Sequence, residues 1–142
     1  MNKYNKIYWV DISKDVFDSF SSCGDHHLHD NDPQGFLKFS KKLNPDDLIV
    51  MESTGYYHFR LVQYLSKKGY NCAVVNPLSV KRFIQMKLAK VKTDKADAKA
   101  ICEYALANEV SIYDPLDDIH AECLQLFSIL LYYQKQLTAI KN

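Results

Sequence analysis

Residues 47–52 read Asp-Leu-Ile-Val-Met-Glu, four consecutive apolar residues closed by a carboxylate. A strand that is apolar on both faces belongs inside a sheet covered on both sides. Residues 6–12, KIYWVDI, and residues 71–75, NCAVV, share this character and read as further buried strands. Residues 15–22, DVFDSFSS, alternate and read as a second strand, and CGDHHLHD reads as a turn with a short third strand. Short connections make the first three strands an antiparallel meander. The later two are joined through helices, so they run parallel. The expected fold is therefore α/β, a mixed five-stranded sheet flanked by helices.

The helices announce their own ends. Asp32-Pro33 supplies an N-cap and a proline at the first helical position. That helix turns Phe36, Phe39 and Leu43 inward and stops before Asn44-Pro45. Ser53, Thr54 and Gly55 form a tight turn before a helix from Tyr56 to Lys68, ended by Gly69. Asn76-Pro77 opens a helix to about Leu88. A basic loop follows, then a helix from about Thr93 to Asn108. After a break at Asp114-Pro115, a last helix starts at Asp117. It carries Ile119, Cys123, Leu126, Leu130, Tyr133, Leu137 and Ile140 at alternating spacings of four and three, a coiled-coil-like seam. A second row, Leu124, Phe127 and Leu131, widens the apolar face, so one row can cover the domain while the other meets a partner. The apolar spacing still runs at Lys141-Asn142 with no stop signal, as in a chain cut inside a helix.

Net charge is only +1 over 142 residues, but its distribution is uneven. Lys81, Arg82, Lys87, Lys90, Lys92, Lys95 and Lys99 face two acids, whereas residues 11–32 hold six acids against one lysine. A basic stripe beside an acidic patch suits a polyanion held near bound cations; a solvated helix face is the plainer reading. Cys23, Cys72, Cys102 and Cys123 lack paired spacing, as scattered thiols of a reducing cytosol do. The N-terminus is too short and polar for a signal peptide, and the longest apolar run falls far below a membrane span. A cytoplasmic location without membrane contact is expected.

Asp94 and Asp97 lie three apart in KVKTDKADAKA, and neither finds a cation three or four residues further on. On a helix their Cβ atoms would stand roughly 5–6 Å apart. Thr93 or Asp94 as an N-cap, with Asp97 meeting the helix dipole, explains them without function. Two other carboxylates weigh against capping alone. Asp11 lies inside a central strand, where desolvation is costly, and Glu52 ends a buried strand, where α/β sheets collect ligands. Four converging carboxylates require about two divalent cations, and oxygen-only ligands suit Mg²⁺ or Mn²⁺ rather than zinc.

VDISKDVF, MESTGYYHFRLVQYLSKKG, VVNPLSVKRF and KTDKADA, in that order, resemble the N-terminal domain of the DEDD transposases and related DNA invertases. The resemblance covers about residues 6–108. It implies an RNase H-like, RuvC-like fold, DNA as partner, and an acidic tetrad at Asp11, Glu52, Asp94 and Asp97 holding Mg²⁺ or Mn²⁺. It implies a RuvC-like catalytic domain over 1–112. Residues 113–142 would then begin a dimerisation arm leading toward a serine-bearing domain absent here. A structured guide RNA, used by some members, is a further candidate partner. Lys81, Arg82, Lys87, Lys90, Lys92 and Lys95 are expected on phosphates, and Tyr56 on a base or along a phosphate path. Homo-oligomers are expected through the helix 117–142. The family usually has glycine where Trp9 stands, and that ring could narrow access to the site. The alternatives are a non-catalytic nucleic-acid-binding and dimerisation module, and a junction-resolving nuclease. His26, His27 and His29, with Cys23, Asp25 and Asp30, match no standard zinc spacing and read as an exposed hairpin. No histidine is placed in sequence to activate Ser13 or Ser53; Ser53 and Thr54 read as turn and cap residues.

Overall fold

The computed structural model describes residues 3–53, 55–86, 104–105 and 110–141. Strands β1 (Ile7–Ile12), β2 (Val16–Ser21) and β3 (His26–Asp30) form the antiparallel meander. Helix α1 (Pro33–Ser40) leads to β4 (Leu48–Glu52), α2 (Phe59–Lys67) to β5 (Asn71–Val75), and α3 (Pro77–Met86) follows. Helix α4 (Asp118–Lys141) is the last element. The strand order is β3-β2-β1-β4-β5, with β4 parallel to β1 and to β5. This is the mixed RNase H-like sheet expected from the sequence.

Period-two alternation divides the central strands between two cores. Ile7, Trp9, Leu48, Val50 and Ala73 share one face with Val80 of α3 and with Ala105. Tyr8, Val10, Ile49, Met51 and Cys72 share the other with Phe36 and Phe39 of α1 and Leu61 and Leu65 of α2. Burial pushes the Cys72 thiol up to about 12, so it acts as a small apolar group. Helix α1 starts as its sequence requires. The Asp32 carboxylate accepts the Gly35 amide at 2.8 Å, and Pro33 holds the first helical position. The helix then lies so close to β3 that a Cβ at Gly35 would overlap the Asp30 carbonyl.

Two expectations fail here. Helix α2 starts at Phe59, not Tyr56. Gly55 takes φ +65°, and the chain completes a turn through residues 55–58, closed by Phe59 N donating to the Tyr56 carbonyl at 3.1 Å. The histidine hairpin is not uniformly exposed either. His29 is 7% exposed and lies between Phe17 and Phe39, with ring centroids 5.0 and 5.3 Å away. Alternation along β3 sends it beneath α1.

Gln63 of α2, itself buried, ties down the segment before α4. Its Oε1 accepts the Tyr113 hydroxyl at 3.0 Å and the Leu116 amide at 2.9 Å. Its Nε2 donates to the Leu116 carbonyl at 3.1 Å. Helix α4 beyond it remains exposed along its length, with Ile119, Leu126, Leu130, Tyr133 and Ile140 all more than half accessible.

Gly35→Ala should destabilise the fold by about 1–3 kcal/mol or more, because α1 must move off β3; a lowered urea midpoint checks this. A second outcome concerns pH. Burial, reinforced by Lys42, lowers the His29 pKa from 6.5 to about 4. The unfolded chain therefore binds a proton below 6.5 that the folded chain refuses. Stability is complete above that pH and falls as pH drops toward 4. Urea midpoints at pH 7 and pH 5 should fall further for wild type than for His29→Leu.

Candidate active site

The β1–β4 ladder pairs Tyr8 with Ile49, Trp9 with Val50 and Val10 with Met51. One step further, Asp11 stands beside Glu52. Parallel neighbours lie about 4.8 Å apart, and alternation gives both carboxylates the face that carries Trp9 and Val50. Asp11 is exposed and Glu52 half-buried. Glu52 ends β4 and Asp11 stands one residue before the end of β1, at the carboxyl edge of the sheet where ligands of α/β folds gather.

The row continues across β2. Asp11 pairs with Asp18 in the antiparallel register, which places a third carboxylate on the same pleat. Like charges directly opposite one another are destabilising. Asp18 has local compensation, since its Oδ1 lies 2.8 Å from His26 Nε2, which must carry the hydrogen because a carboxylate only accepts. His26 is held flat over Phe20, with centroids 4.3 Å apart and planes at 4°. Glu52 in turn pairs with Val75 of β5. From Asp18 to Glu52 the row spans roughly 10 Å.

Trp9 does not stand across this row. It is 5% exposed and packs with Val50, Phe20 and Ala105 beneath the carboxylates. The buried ring is part of the apolar face that carries the carboxylates. The histidines do not converge. His26 faces with Phe20, whereas His29 packs on the opposite face with Phe17, because neighbouring residues of a strand alternate. Ser13 Oγ donates to the Val16 carbonyl at 2.9 Å, a turn contact, and Ser53 Oγ to the Val75 carbonyl of the neighbouring strand at 3.5 Å.

Lys81 and Arg82 are exposed on α3, whose Val80 packs on the same face as the carboxylate row. Tyr56 is 64% exposed in the turn after Glu52. It lines a largely apolar cleft of about 850 Å³ with Arg60 of α2 and Ile129, Tyr132 and Tyr133 of α4. Burial lowers the pKa of His58, which also borders this cleft. Asp94, Asp97, Lys87, Lys90, Lys92 and Lys95 lie outside the described residues. Among the described residues no group of three or more His, Cys, Asp or Glu side chains is placed to hold a metal ion.

Sequence reasoning missed Asp18 and Asn31. Asp18 looks like the polar half of an alternating strand until the hairpin register sets it opposite Asp11. Asn31 follows β3 and joins two turns at the carboxyl edge. Its Nδ2 donates to the Ser13 carbonyl at 3.0 Å and the Tyr57 carbonyl at 3.2 Å. A DN pair before a proline signals a turn, but not which turns it will tie.

The sequence model of the IS110-type DEDD transposases, described as "Transposase", matches residues 23–142. The matched span includes Glu52, Asp94 and Asp97 and begins beyond Asp11. Two pilin gene-inverting proteins, from Moraxella lacunata and Moraxella bovis, are each 23% identical over 141 residues. These alignments cover 90% of this chain and 42% of each relative. The chain thus spans less than half the length of the curated relatives it matches.

Proposed function

Because this chain belongs to the DEDD transposase family, we propose that its carboxylate row is the DNA-cleaving centre of a recombinase that moves or inverts DNA. The observation that carries this reading is the parallel register of β1 and β4, which brings Asp11 and Glu52 side by side on one face. Asp94 and Asp97 complete the set. Val80 and Ala105, which flank them in sequence, both pack on this same face.

The donor set fits a hard divalent cation. Asp11 and Glu52 offer carboxylate oxygens only, one exposed and one half-buried, in keeping with Mg²⁺ or Mn²⁺. Bound by Asp11, Glu52, Asp94 and Asp97, such ions would neutralise the scissile phosphate and activate the attacking hydroxyl. The remaining work belongs to the chain. Trp9 and Val50 supply a dry floor that strengthens the electrostatics above them. Lys81 and Arg82, continued by Lys87, Lys90, Lys92 and Lys95, hold the backbone of DNA or of a guide RNA, positioning the strand without reading sequence. Tyr56 offers a stacking surface for an unpaired base. Ser13 and Ser53 donate their hydroxyls to the strand carbonyls of Val16 and Val75, so the strand-joining nucleophile is assigned to neither. Residues 113–142 serve as an arm, and the exposed seam of α4 joins copies of the chain.

A wild-type chain should gain thermal stability with Mn²⁺, by about 2.7 kcal/mol per site at a hundredfold excess over Kd. The double variant Asp11→Asn, Glu52→Gln should lose both this gain and Mg²⁺-dependent DNA nicking. A metal response that survives in the double variant removes the site. Binding without metal-dependent nicking would favour the non-catalytic module.

The arm is tested separately. Helix α4 has 24 residues and extends about 36 Å. Sedimentation should show a self-associating wild type and a Leu130→Lys variant shifted to monomer; a monomeric wild type refutes the seam.

A further inference from the structure

We infer that Asn31 is a positioning residue that sets the spacing of the Asp11 and Glu52 carboxylates, an inference that rests on the proposed metal site. The β1–β4 ladder runs from Ile7–Leu48 to Val10–Met51, one residue short of the two acids. The acids therefore sit just past the point where the pairing of β1 with β4 ends.

Beyond the last ladder pair, the Asn31 amide joins the two chains again. On the β1 side, Nδ2 donates to the Ser13 carbonyl at 3.0 Å, two residues past Asp11, with a longer contact to the Lys14 carbonyl at 3.5 Å. On the β4 side the same nitrogen donates to the Tyr57 carbonyl at 3.2 Å, within the turn that follows Glu52. The Asn31 backbone is fixed in the same place, its N–H donating to the Asp15 carbonyl at 2.8 Å. Carbonyl oxygens surround the amide nitrogen, so the orientation of the side-chain amide follows from its partners. Its Oδ1 is buried with no hydrogen-bond partner among the described residues. An amide left half-satisfied is a cost. Here the donor half bridges the β1–β2 turn and the β4–α2 turn. The acids are thus bracketed, by ladder hydrogen bonds below and by the Asn31 bridge above. A cation shared between two carboxylates needs them at a set separation, and the bridge supplies it before metal arrives.

The test separates spacing from folding. Mn²⁺ affinity is measured by calorimetric titration for wild type, Asn31→Ala and Asn31→Ser, beside the urea midpoint of each metal-free protein. Serine suits the turn, but its hydroxyl is too short to bridge to Tyr57. Both variants should bind Mn²⁺ at least tenfold more weakly while keeping wild-type secondary structure and most of the metal-free midpoint. Wild-type Mn²⁺ affinity in either folded variant overturns the inference and leaves the metal site standing. Variants that fail to fold make Asn31 a folding residue and also overturn it. A wild type that binds no Mn²⁺ overturns the metal site itself, and the inference with it.

Discussion

The parallel pairing of β1 with β4 is the constraint on which the rest depends. It buries Trp9 against Val50 and Val10 against Met51, and the same register delivers Asp11 and Glu52 to one pleat. Because the side-chain period is two, a slip of one residue would send either carboxylate to the opposite face, among Tyr8, Ile49 and Met51. The apolar residues therefore do more than fill the core. Their burial penalises every register except the one that sets the two acids together.

That arrangement brings an electrostatic load, and the surroundings distribute it. Asp18 enters the row through the β1–β2 hairpin and is met by His26, which is steadied by stacking on Phe20. The carboxyl edge is crowned by two turns that Asn31 joins. Glu52 and Asp18 are partly sheltered, while Asp11 stays accessible to solvent and to whatever approaches the sheet edge. A face with carboxylates at its edge and a dry aromatic floor beneath suits a site that takes up cations before it meets a polyanion.

Helix α4 follows different physics. Its apolar residues are spread around the cylinder rather than confined to one stripe, and most remain accessible. The segment before it is well anchored through Gln63, so the helix leaves the domain from a fixed point. A 24-residue helix that exposes Leu126, Leu130 and Ile140 is poorly stabilised by its own domain, since helical stability in proteins comes mainly from packing of an apolar face. At the tyrosine-lined cleft beside α2, α4 approaches the turn after Glu52.

Local chemistry determined much of this protein by itself. The five strands, the Asp32-Pro33 start of α1 and the Gly69 stop of α2 could be read because alternation, apolar runs and capping act over a few residues. The family resemblance rested on short motifs for the same reason. Tertiary structure decided what depends on residues distant in sequence. Tyr56 fell outside α2 because the Gly55 turn takes in residues 55–58 and Asn31 binds the Tyr57 carbonyl. His29 went beneath α1, although its neighbours His26 and His27 are exposed. Trp9 was buried in one core with Phe20, Val50 and Ala105. Asp18 joined the acidic row through a hairpin register that periodicity alone does not give. A strand's pattern says which residues share a face, but only its pairing says which residues of other strands they will meet.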